Sequence, residues 1–287
     1  MNALHKMVQG SPEWHEHRAM YRNASETAAV MGLSPWMTQH ELWLVKTGRK
    51  VVEETAPMRH GTQMEPIARA AFEETTGMIM QPQVVVDGLY SASLDGINLQ
   101  GDTILEVKVP FRGQISELWQ TVKTGTVPEH YMLQVQHQLM VSGAARAYLW
   151  VYDGNVGINT LIEPDQTTFE SIRAAWDAFQ PFLDSDSPPP LTDLDTKARN
   201  DHAWKEAAEA YRGWKSVADD AATKADAAKA KLVEMTSHSR ESGFGVSVTR
   251  YWKAGNVDYK KIPELVGVNL DQYRGKLVEQ VRVTLEK

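Results

Sequence analysis

Cysteine is absent from the 287-residue sequence, and this absence excludes several classes of protein at once. Without thiols the chain can form no disulfide framework, no thiolate zinc site and no cysteine-ligated iron–sulfur cluster. No apolar stretch approaches the roughly 20 residues that cross a bilayer, and the first residues lack the apolar core of a secretory signal. We therefore expect a cytoplasmic protein with no membrane partner.

An excess of positive charge is also missing. The chain has 30 Lys and Arg against 37 Asp and Glu, which gives a formal net charge of -7. This balance argues against a protein that binds polyanions over its whole surface. It still allows a protein that binds nucleic acid in a locally basic channel and gathers carboxylates around a metal ion.

A proline-rich segment separates two parts of different character. Helical and strand-like patterns alternate before it, whereas an alanine-rich stretch of helical character follows it. Residues 184–190 read DSDSPPP, which is typical of a linker or a domain edge. We predict a core over residues 1–184, a linker over 185–192, and an extension over 193–287 that contains a long helix and a small β element.

Residues 93–110, SLDGINLQGDTILEVKVP, place charges inside a strand-like run. The β-branched and apolar residues of 103–109 are typical of a buried strand, and such strands rarely hold charges without partners. Because side chains two apart in a strand share a face, Glu106 and Lys108 are predicted to project side by side. Asp95, with the glycine after it, is predicted to form a turn or strand end close to them.

An aspartate followed further along by acid-x-lysine has a direct chemical use. Asp95 and Glu106 on adjacent strands can coordinate Mg²⁺, which prefers hard oxygen ligands, and the Val107 carbonyl is a natural further ligand. Such an ion lowers the pKa of a water and neutralises charge on a phosphate. Lys108 can hold or deprotonate that water, or stabilise the transition state. The alternative is a structural ion pair between Glu106 and Lys108.

Three other segments carry polar residues that could join the same site. Glu65 follows GTQM at the start of an amphipathic helix. Tyr131 and Gln134 share one helical face in YMLQVQ. Arg18 closes the segment WHEHR, and Ser25 lies where a second helix is predicted to begin. Each residue also has a structural explanation, such as a first-turn acid favoured by the helix dipole or a solvated glutamine.

In this order, the four motifs resemble the lambda-type exonuclease family, which is also known as the YqaJ-like viral recombinases of phages. The resemblance runs from about Ser11 to Tyr152 and includes WHxxR, RxGxxxE, SxDG with LEVKVP, and YMxQVQ. It implies an α/β fold of the PD-(D/E)xK type, with a central mixed sheet flanked by helices.

The same resemblance implies an activity and partners. It indicates a Mg²⁺-dependent, processive 5′-to-3′ double-stranded DNA exonuclease, which uses two ions and accepts Mn²⁺ as a substitute. The enzyme would be phage- or prophage-encoded and would act on DNA ends as a homotrimeric ring in the bacterial cytoplasm. It would leave a 3′ single strand for a phage single-strand annealing protein, and so serve recombination.

The resemblance assigns roles to named positions. The implied catalytic residues are Glu65, Asp95, Glu106, Lys108, Gln134 and Tyr131. The implied metal ligands are Asp95, Glu106, the Val107 backbone carbonyl and Glu65. The implied pocket for the DNA 5′-phosphate consists of Arg18, Ser25 and Ser93.

The sequence departs from the family where a basic loop is expected, because residues 31–40 contain no lysine or arginine. Four cations further on are therefore candidates for contacts to the DNA backbone, with solvated surface charge as the alternative: Lys46, Arg49, Lys50 and Arg59. Trp36 stays open between packing and stacking on bases. Two other functions stay open for the chain, a PD-(D/E)xK endonuclease or repair nuclease and a catalytically inactive DNA-binding recombination scaffold.

Overall fold

The computed structural model describes residues 3–5, 11–255, 259, 262–265, 267–273, 275 and 280. The chain forms two compact units, residues 1–196 and 197–287. The first unit contains a mixed sheet with helices on both faces, which confirms the predicted fold class. None of the described helices combines the length and the apolar content needed to cross a membrane.

The sequence forms elements in the following order. The helices are α1 Pro12–Met20, α2 Thr27–Val30, α3 Gln39–Lys46, α4 Ala56–Thr76, α5 Glu117–Lys123, α6 Glu129–Ser142, α7 Gln166–Asp184 and α8 His202–Met235. The strands are β1 Ala3–His5, β2 Arg22–Asn23, β3 Met80–Asp87, β4 Tyr90–Asn98, β5 Thr103–Lys108, β6 Arg146–Tyr152, β7 Gly157–Ile162, β8 Arg240–Gly243 and β9 Val246–Thr249.

One sheet runs through the first unit in the order β1-β3-β4-β5-β6-β7, with β2 paired to β4 outside this path. Strand β4 is antiparallel to both of its neighbours, β3 and β5; β6 is parallel to β5, and β7 is antiparallel to β6. A parallel step requires a crossover connection, which α5 and α6 provide between β5 and β6. Helix α6, the second of these helices, packs against β4 and β6.

Alternating residues of the strands feed two apolar clusters, one on each side of the sheet. On one side, Ile104 and Leu149 pack with residues of α2, α3, α6 and α7. On the other side, Leu105 and Trp150 pack with Phe72 of α4. Because every second side chain of β5 faces α6, the face that carries Ile104 also carries Glu106 and Lys108, as predicted.

Strand β4 corrects one expectation from the sequence. Asp95 and Gly96 do not form a turn, because β4 continues through them to Asn98. The glycine is required by packing, since a Cβ at Gly96 would lie 2.7 Å from the Met80 Cβ and 3.3 Å from the Leu105 Cβ. A glycine in a strand can mark a close approach of neighbouring chains rather than a turn, and Asp95 consequently lies inside the sheet.

Helix α6 runs from Glu129 to Ser142, and both of its ends have local chemical causes. Pro128 precedes the first turn, where a missing N–H costs nothing. Gly143 follows the last turn with φ 70°, a left-handed conformation that glycine adopts without strain. The helix therefore starts and stops where local chemistry directs, and only its rotation about its axis is left to tertiary packing.

The proline-rich segment contacts the first unit. The Pro189 carbonyl oxygen lies 3.1 Å from His40 Nδ1, and Asp186 accepts two hydrogen bonds from Arg49 at 2.8 and 2.7 Å. The predicted division at residues 185–192 stays a prediction, and the compact first unit extends to residue 196.

The second unit contains α8, a helix of 34 residues, and the antiparallel hairpin of β8 and β9. The side chain of Arg250, which follows the hairpin, donates to the Val233 carbonyl oxygen near the end of α8 at 3.0 Å. A long helix and a small β element therefore occur in the part of the chain where the sequence predicts them.

Candidate active site

Strands β4 and β5 bring two carboxylates together. Their register pairs Gly96 with Leu105, so the next position along places Asp95 opposite Glu106. Beyond this pair a side chain replaces the backbone acceptor: Asp95 Oδ2 accepts a hydrogen bond from the Val107 backbone N–H at 2.7 Å. Opposite residues of an antiparallel pair point to the same face, so both acids face the same side of the sheet.

Glu106 is almost fully buried, with 3% of its surface exposed, and both of its oxygens have partners. Oε1 accepts from Gln134 Nε2 at 2.7 Å and contacts the Lys108 ammonium. Oε2 accepts from Gln138 Nε2 at 2.5 Å. Residues four apart on a helix lie on one face, so the two glutamines of α6 hold the two oxygens of one carboxylate.

Gln138 is the site residue that the sequence analysis missed. It is fully buried, and its Nε2 also lies 3.2 Å from the Ser93 carbonyl oxygen on β4. Its amide therefore connects Glu106 to the strand that carries Ser93 and Asp95. The signal was present in the sequence, because a second glutamine one turn after Gln134 extends the same helical face.

Glu65 approaches the pair of acids from α4, on the other side of the sheet. Arg69, one turn later, donates to Glu65 Oε1 at 3.3 Å and to the Asp95 carbonyl oxygen at 3.0 Å. Arg69 therefore holds Glu65 beside the strand that carries Asp95, and it places a positive charge next to the acidic group.

The electrostatics follow from burial and from the closeness of like charges. Burial raises the pKa of Asp95 well above its usual range, and the negative charges of Glu106 and Glu65 raise it further. Burial also raises the pKa of Glu65, although Arg69 opposes the shift. Burial alone would lower the pKa of Lys108, but Glu106, Tyr131 and Asp95 outweigh it and raise this pKa. The surrounding acids therefore favour the charged form of Lys108.

The donor set fits a hard divalent cation. Among the described residues, no group of three or more His, Asp or Glu side chains has the arrangement of a metal site. Amide and cationic groups contact the oxygens of Glu106 and Glu65. Asp95 is nevertheless buried close to two further carboxylates, those of Glu106 and Glu65. Carboxylates in such a place are the ligands that Mg²⁺ prefers. At Val107, the contact with Asp95 involves the amide, so the carbonyl ligand stays a prediction.

The three residues predicted to bind a 5′-phosphate belong to one chain of contacts. Arg18 Nη1 donates to Ser25 Oγ at 3.0 Å, and the Arg18 guanidinium lies 4.7 Å from the ring centroid of Trp14. Trp14 Nε1 donates to Ser93 Oγ at 3.3 Å. Ser25 does not cap a helix as expected, because it lies in a short 3₁₀ turn and α2 begins at Thr27.

Lys46 corrects another expectation, because it does not lie on the surface. Its side chain is 3% exposed and pairs with Glu26 Oε2 at 2.7 Å. Its ammonium also donates to the carbonyl oxygens of Arg18 at 2.7 Å and Tyr21 at 2.5 Å. Glu26 in turn accepts from Arg18 Nη2 at 2.9 Å. Lys46 therefore supports the segment that carries Arg18 and is not available to a DNA backbone.

The other three cations proposed for DNA contacts form ion pairs with nearby acids. Arg49 pairs with Asp186, Lys50 with Glu41, and Arg59 with Glu54. These pairs lie at the surface, where such pairs contribute little to stability and exchange partners readily. Their contact with DNA stays a prediction.

Comparisons with known proteins agree with this geometry. The chain is 30% identical over 173 residues to the uncharacterized protein YqaJ of Bacillus subtilis (strain 168), which covers 57% of this chain and 53% of that protein. It is similar to the alkaline exonuclease LHK-Exo of Laribacter hongkongensis, with 27% identity, a TM-score of 0.53, and coverage of 62% of this chain and 94% of that one. The structure of LHK-Exo in complex with dAMP gives 26% identity, a TM-score of 0.52 and the same coverage.

The chain has a PD-(D/E)xK-like fold of the kind found in exonucleases. Its mixed sheet is flanked by helices, and two adjacent strands carry an aspartate and an E-x-K pair. Residues 13–145 match the model of the YqaJ-like viral recombinase domain. The resemblance inferred from the sequence motifs is thereby confirmed. The YqaJ match spans about half the length of that relative.

Proposed function

We propose that this chain is a divalent-metal-dependent deoxyribonuclease that removes nucleotides from the 5′-terminated strand of duplex DNA. The observation that supports this proposal is the buried group of Asp95, Glu106 and Lys108 on β4 and β5. It occurs in a chain that matches the model of the YqaJ-like viral recombinase domain and is similar to an alkaline exonuclease.

In the proposed enzyme, Asp95 and Glu106 hold Mg²⁺, with Glu65 and the Val107 carbonyl as further ligands and Mn²⁺ as a substitute. When bound, the ion acidifies a water and neutralises charge on the phosphate. Gln134 and Gln138 fix the orientation of the Glu106 carboxylate, because each donates to a different oxygen. Orienting contacts of this kind support metal ligands in proteins.

Lys108 acts by electrostatics in this proposal. The nearby acids raise its pKa and so favour the protonated ammonium. The group donates hydrogen bonds towards negative charge that develops on the phosphate. Gln134 Oε1 lies 3.5 Å from Lys108 Nζ, and the ammonium lies 4.9 Å from the ring centroid of Tyr131. These two residues of α6 position the lysine and line the site.

Polarity is proposed to come from Arg18, Ser25 and Ser93. A guanidinium pairs well with a terminal phosphate, and the two hydroxyls add donors. Gln138 contacts both the Ser93 carbonyl oxygen and Glu106, and these contacts support a pocket close to the proposed metal ligand. A terminal phosphate held there would present the first phosphodiester bond to the site.

The finer parts of the proposal rest on the family resemblance. They are processive digestion by a homotrimeric ring, transfer of the 3′ strand to a phage annealing protein, and action in the cytoplasm of a bacterial host. A ring that encloses its product gives a physical reason for processivity, because the DNA cannot diffuse away between cleavages.

Digestion of linear duplex labelled at either end tests the proposal. We expect loss of the 5′ label first, only with Mg²⁺ or Mn²⁺, and faster when the 5′ end carries a phosphate. Cleavage of a covalently closed plasmid would favour an endonuclease, and equal rates without the phosphate would remove the role of Arg18, Ser25 and Ser93. Binding without hydrolysis under any metal condition would favour the inactive scaffold.

A further inference from the structure

Trp36 lies in the loop between α2 and α3, and this loop is held firmly. Ser34 Oγ accepts hydrogen bonds from the backbone N–H groups of Trp36 and Met37, both at 3.2 Å. Thr38 caps α3 in a reciprocal capping box with Glu41. The backbone on both sides of Trp36 is therefore fixed, so the position of its ring is set by the fold.

The ring of Trp36 is nevertheless 67% exposed. A large aromatic ring held in a defined place but open to solvent contributes little to the core, so packing does not explain it. Its contacts lie at one end of the site. The His130 ring meets it edge to face at a centroid separation of 4.7 Å, and the Tyr131 ring lies at 5.8 Å.

These contacts connect Trp36 with the catalytic group. Tyr131 lies against Trp36 on one side and against the Lys108 ammonium on the other, at 4.9 Å from ring centroid to Nζ. One aromatic ring therefore separates an exposed indole from the cation that faces the reacting phosphate in the proposed function. Within a nucleotide, the sugar separates the base from its phosphate on a comparable scale.

We propose that Trp36 is a stacking platform for a nucleobase, one that belongs to a nucleotide next to the bond being cleaved. An inference of this kind rests on the proposed function, since it takes Lys108 to mark the position of the phosphate. Aromatic rings next to cationic groups are the combination with which proteins bind unpaired nucleic acid, because every base offers a flat face. Such a platform would also hold the first base away from its complementary strand.

Binding of modified DNA ends tests this inference directly. The probe is a 5′-phosphorylated duplex whose first three 5′ nucleotides are unpaired, made intact or with one abasic position at the first, second or third nucleotide. Affinity is measured by fluorescence anisotropy in EDTA, where metal-dependent hydrolysis is stopped. The proteins are the full chain, Trp36→Ala, Trp36→Phe and, as a control, Trp204→Ala, which changes a similarly exposed tryptophan (54%) in the second unit.

For the full chain, we expect one abasic position to weaken binding by roughly five- to a hundredfold, the range that stacking of one base gives. Trp36→Ala should bind intact DNA more weakly than the full chain by a similar factor. The variant should bind the DNA with that abasic position as well as it binds intact DNA. Trp36→Phe should retain most of the affinity, and Trp204→Ala should bind like the full chain.

The inference would be overturned if Trp36→Ala bound DNA as tightly as the full chain. It would also be overturned if the losses of affinity from Trp36→Ala and from the abasic position simply added. A full chain that digests 5′ ends but shows no abasic effect would leave the proposed function standing and remove the platform alone. A full chain that neither binds nor digests DNA ends would instead refute the proposed function.

Discussion

Asp95 occupies a place that favours function over stability. Its carboxyl group is buried beside two other acids, and its pKa is raised because ionisation there is unfavourable. A carboxyl with a raised pKa in the folded state stabilises the fold while it is protonated, and this stabilisation is lost as the pH rises through the folded pKa. Ionised Asp95 therefore costs the folded chain free energy, which a bound cation would offset.

Replacing Asp95 with asparagine should consequently stabilise the metal-free protein by roughly 1–2 kcal/mol while abolishing metal-dependent hydrolysis. The asparagine oxygen can still accept the Val107 N–H. Thermal unfolding with and without Mg²⁺ provides the measurement: the ion should raise the midpoint of the wild type and not that of Asp95→Asn. The exposed Asp87→Asn on β3 is the control. A metal-induced shift that survives in Asp95→Asn would contradict the assigned ligand.

Lys108→Ala should lower the rate of hydrolysis by at least about a hundredfold, since it removes a charge aimed at the transition state. Binding of DNA ends should change much less, because the proposed phosphate pocket is built from other residues. Single-turnover digestion and anisotropy measure the two effects separately. Lys224→Ala, which removes an exposed lysine of α8 paired with Asp220, is the control and should retain activity. Near-normal hydrolysis by Lys108→Ala would dismiss the assigned role.

Gln138→Ala should raise the Mg²⁺ concentration needed for half-maximal activity by roughly tenfold, the lower end of what the loss of an orienting contact costs. The KM for DNA should change little, since Gln138 contacts a metal-binding carboxylate and not the substrate. Gln136→Ala is a matched control on the same helix, because Gln136 is also buried but bonds to the Glu163 carbonyl oxygen. If both variants had the same metal dependence, Gln138 would be a structural residue only.

At the scale of elements, α6 serves the site and the core with different faces. Tyr131, Gln134 and Gln138 face the catalytic group, whereas His137 is fully buried towards α2, where its Nδ1 lies 2.7 Å from Thr27 Oγ1. Burial lowers the pKa of His137 to about 3, with a smaller effect from the charge of Lys46. This histidine is therefore neutral in the folded protein.

His137 should make the fold sensitive to mild acid. Its pKa is lower in the folded state than in the unfolded one, so the unfolded chain binds a proton as the pH falls below about 6.5, and stability is lost down to a pH of about 3. The loss should reach about 1.4 kcal/mol per pH unit within this window. Urea unfolding of wild type and His137→Gln between pH 7 and pH 4 measures it, and parallel pH profiles would rule out the contribution.

Local chemistry can fix the boundaries of an element, as Pro128 and Gly143 at the two ends of α6 show. The predicted turn at Asp95 and Gly96 was wrong, because Gly96 is required by the close approach of Met80 and Leu105 across the sheet. The start of α2 was also misplaced, since Ser25 lies in a 3₁₀ turn before it. A residue that serves a distant neighbour gives a misleading local signal.

At the scale of the whole molecule, the family resemblance predicts an assembly of three chains. Light scattering of the purified protein should report a mass near three times 32.2 kDa. The mass should be independent of protein concentration over the range used, since a ring is closed by repeated copies of one interface. A monomer at all concentrations would remove the ring as the explanation of processivity.

The sequence by itself determined the order of motifs and the chemistry of the central strand. Periodicity along a strand or a helix is local, so Glu106 and Lys108 could be assigned to one face, and Gln134 to the helix opposite, without coordinates. Only the tertiary structure decided that Gln138 holds the second oxygen of Glu106, that Lys46 is buried beneath Arg18, and that Trp36 stands beside Tyr131. Burial and contacts between distant segments depend on how the elements pack; helical spacing could put Gln138 on the face of Gln134 but could not identify its partner.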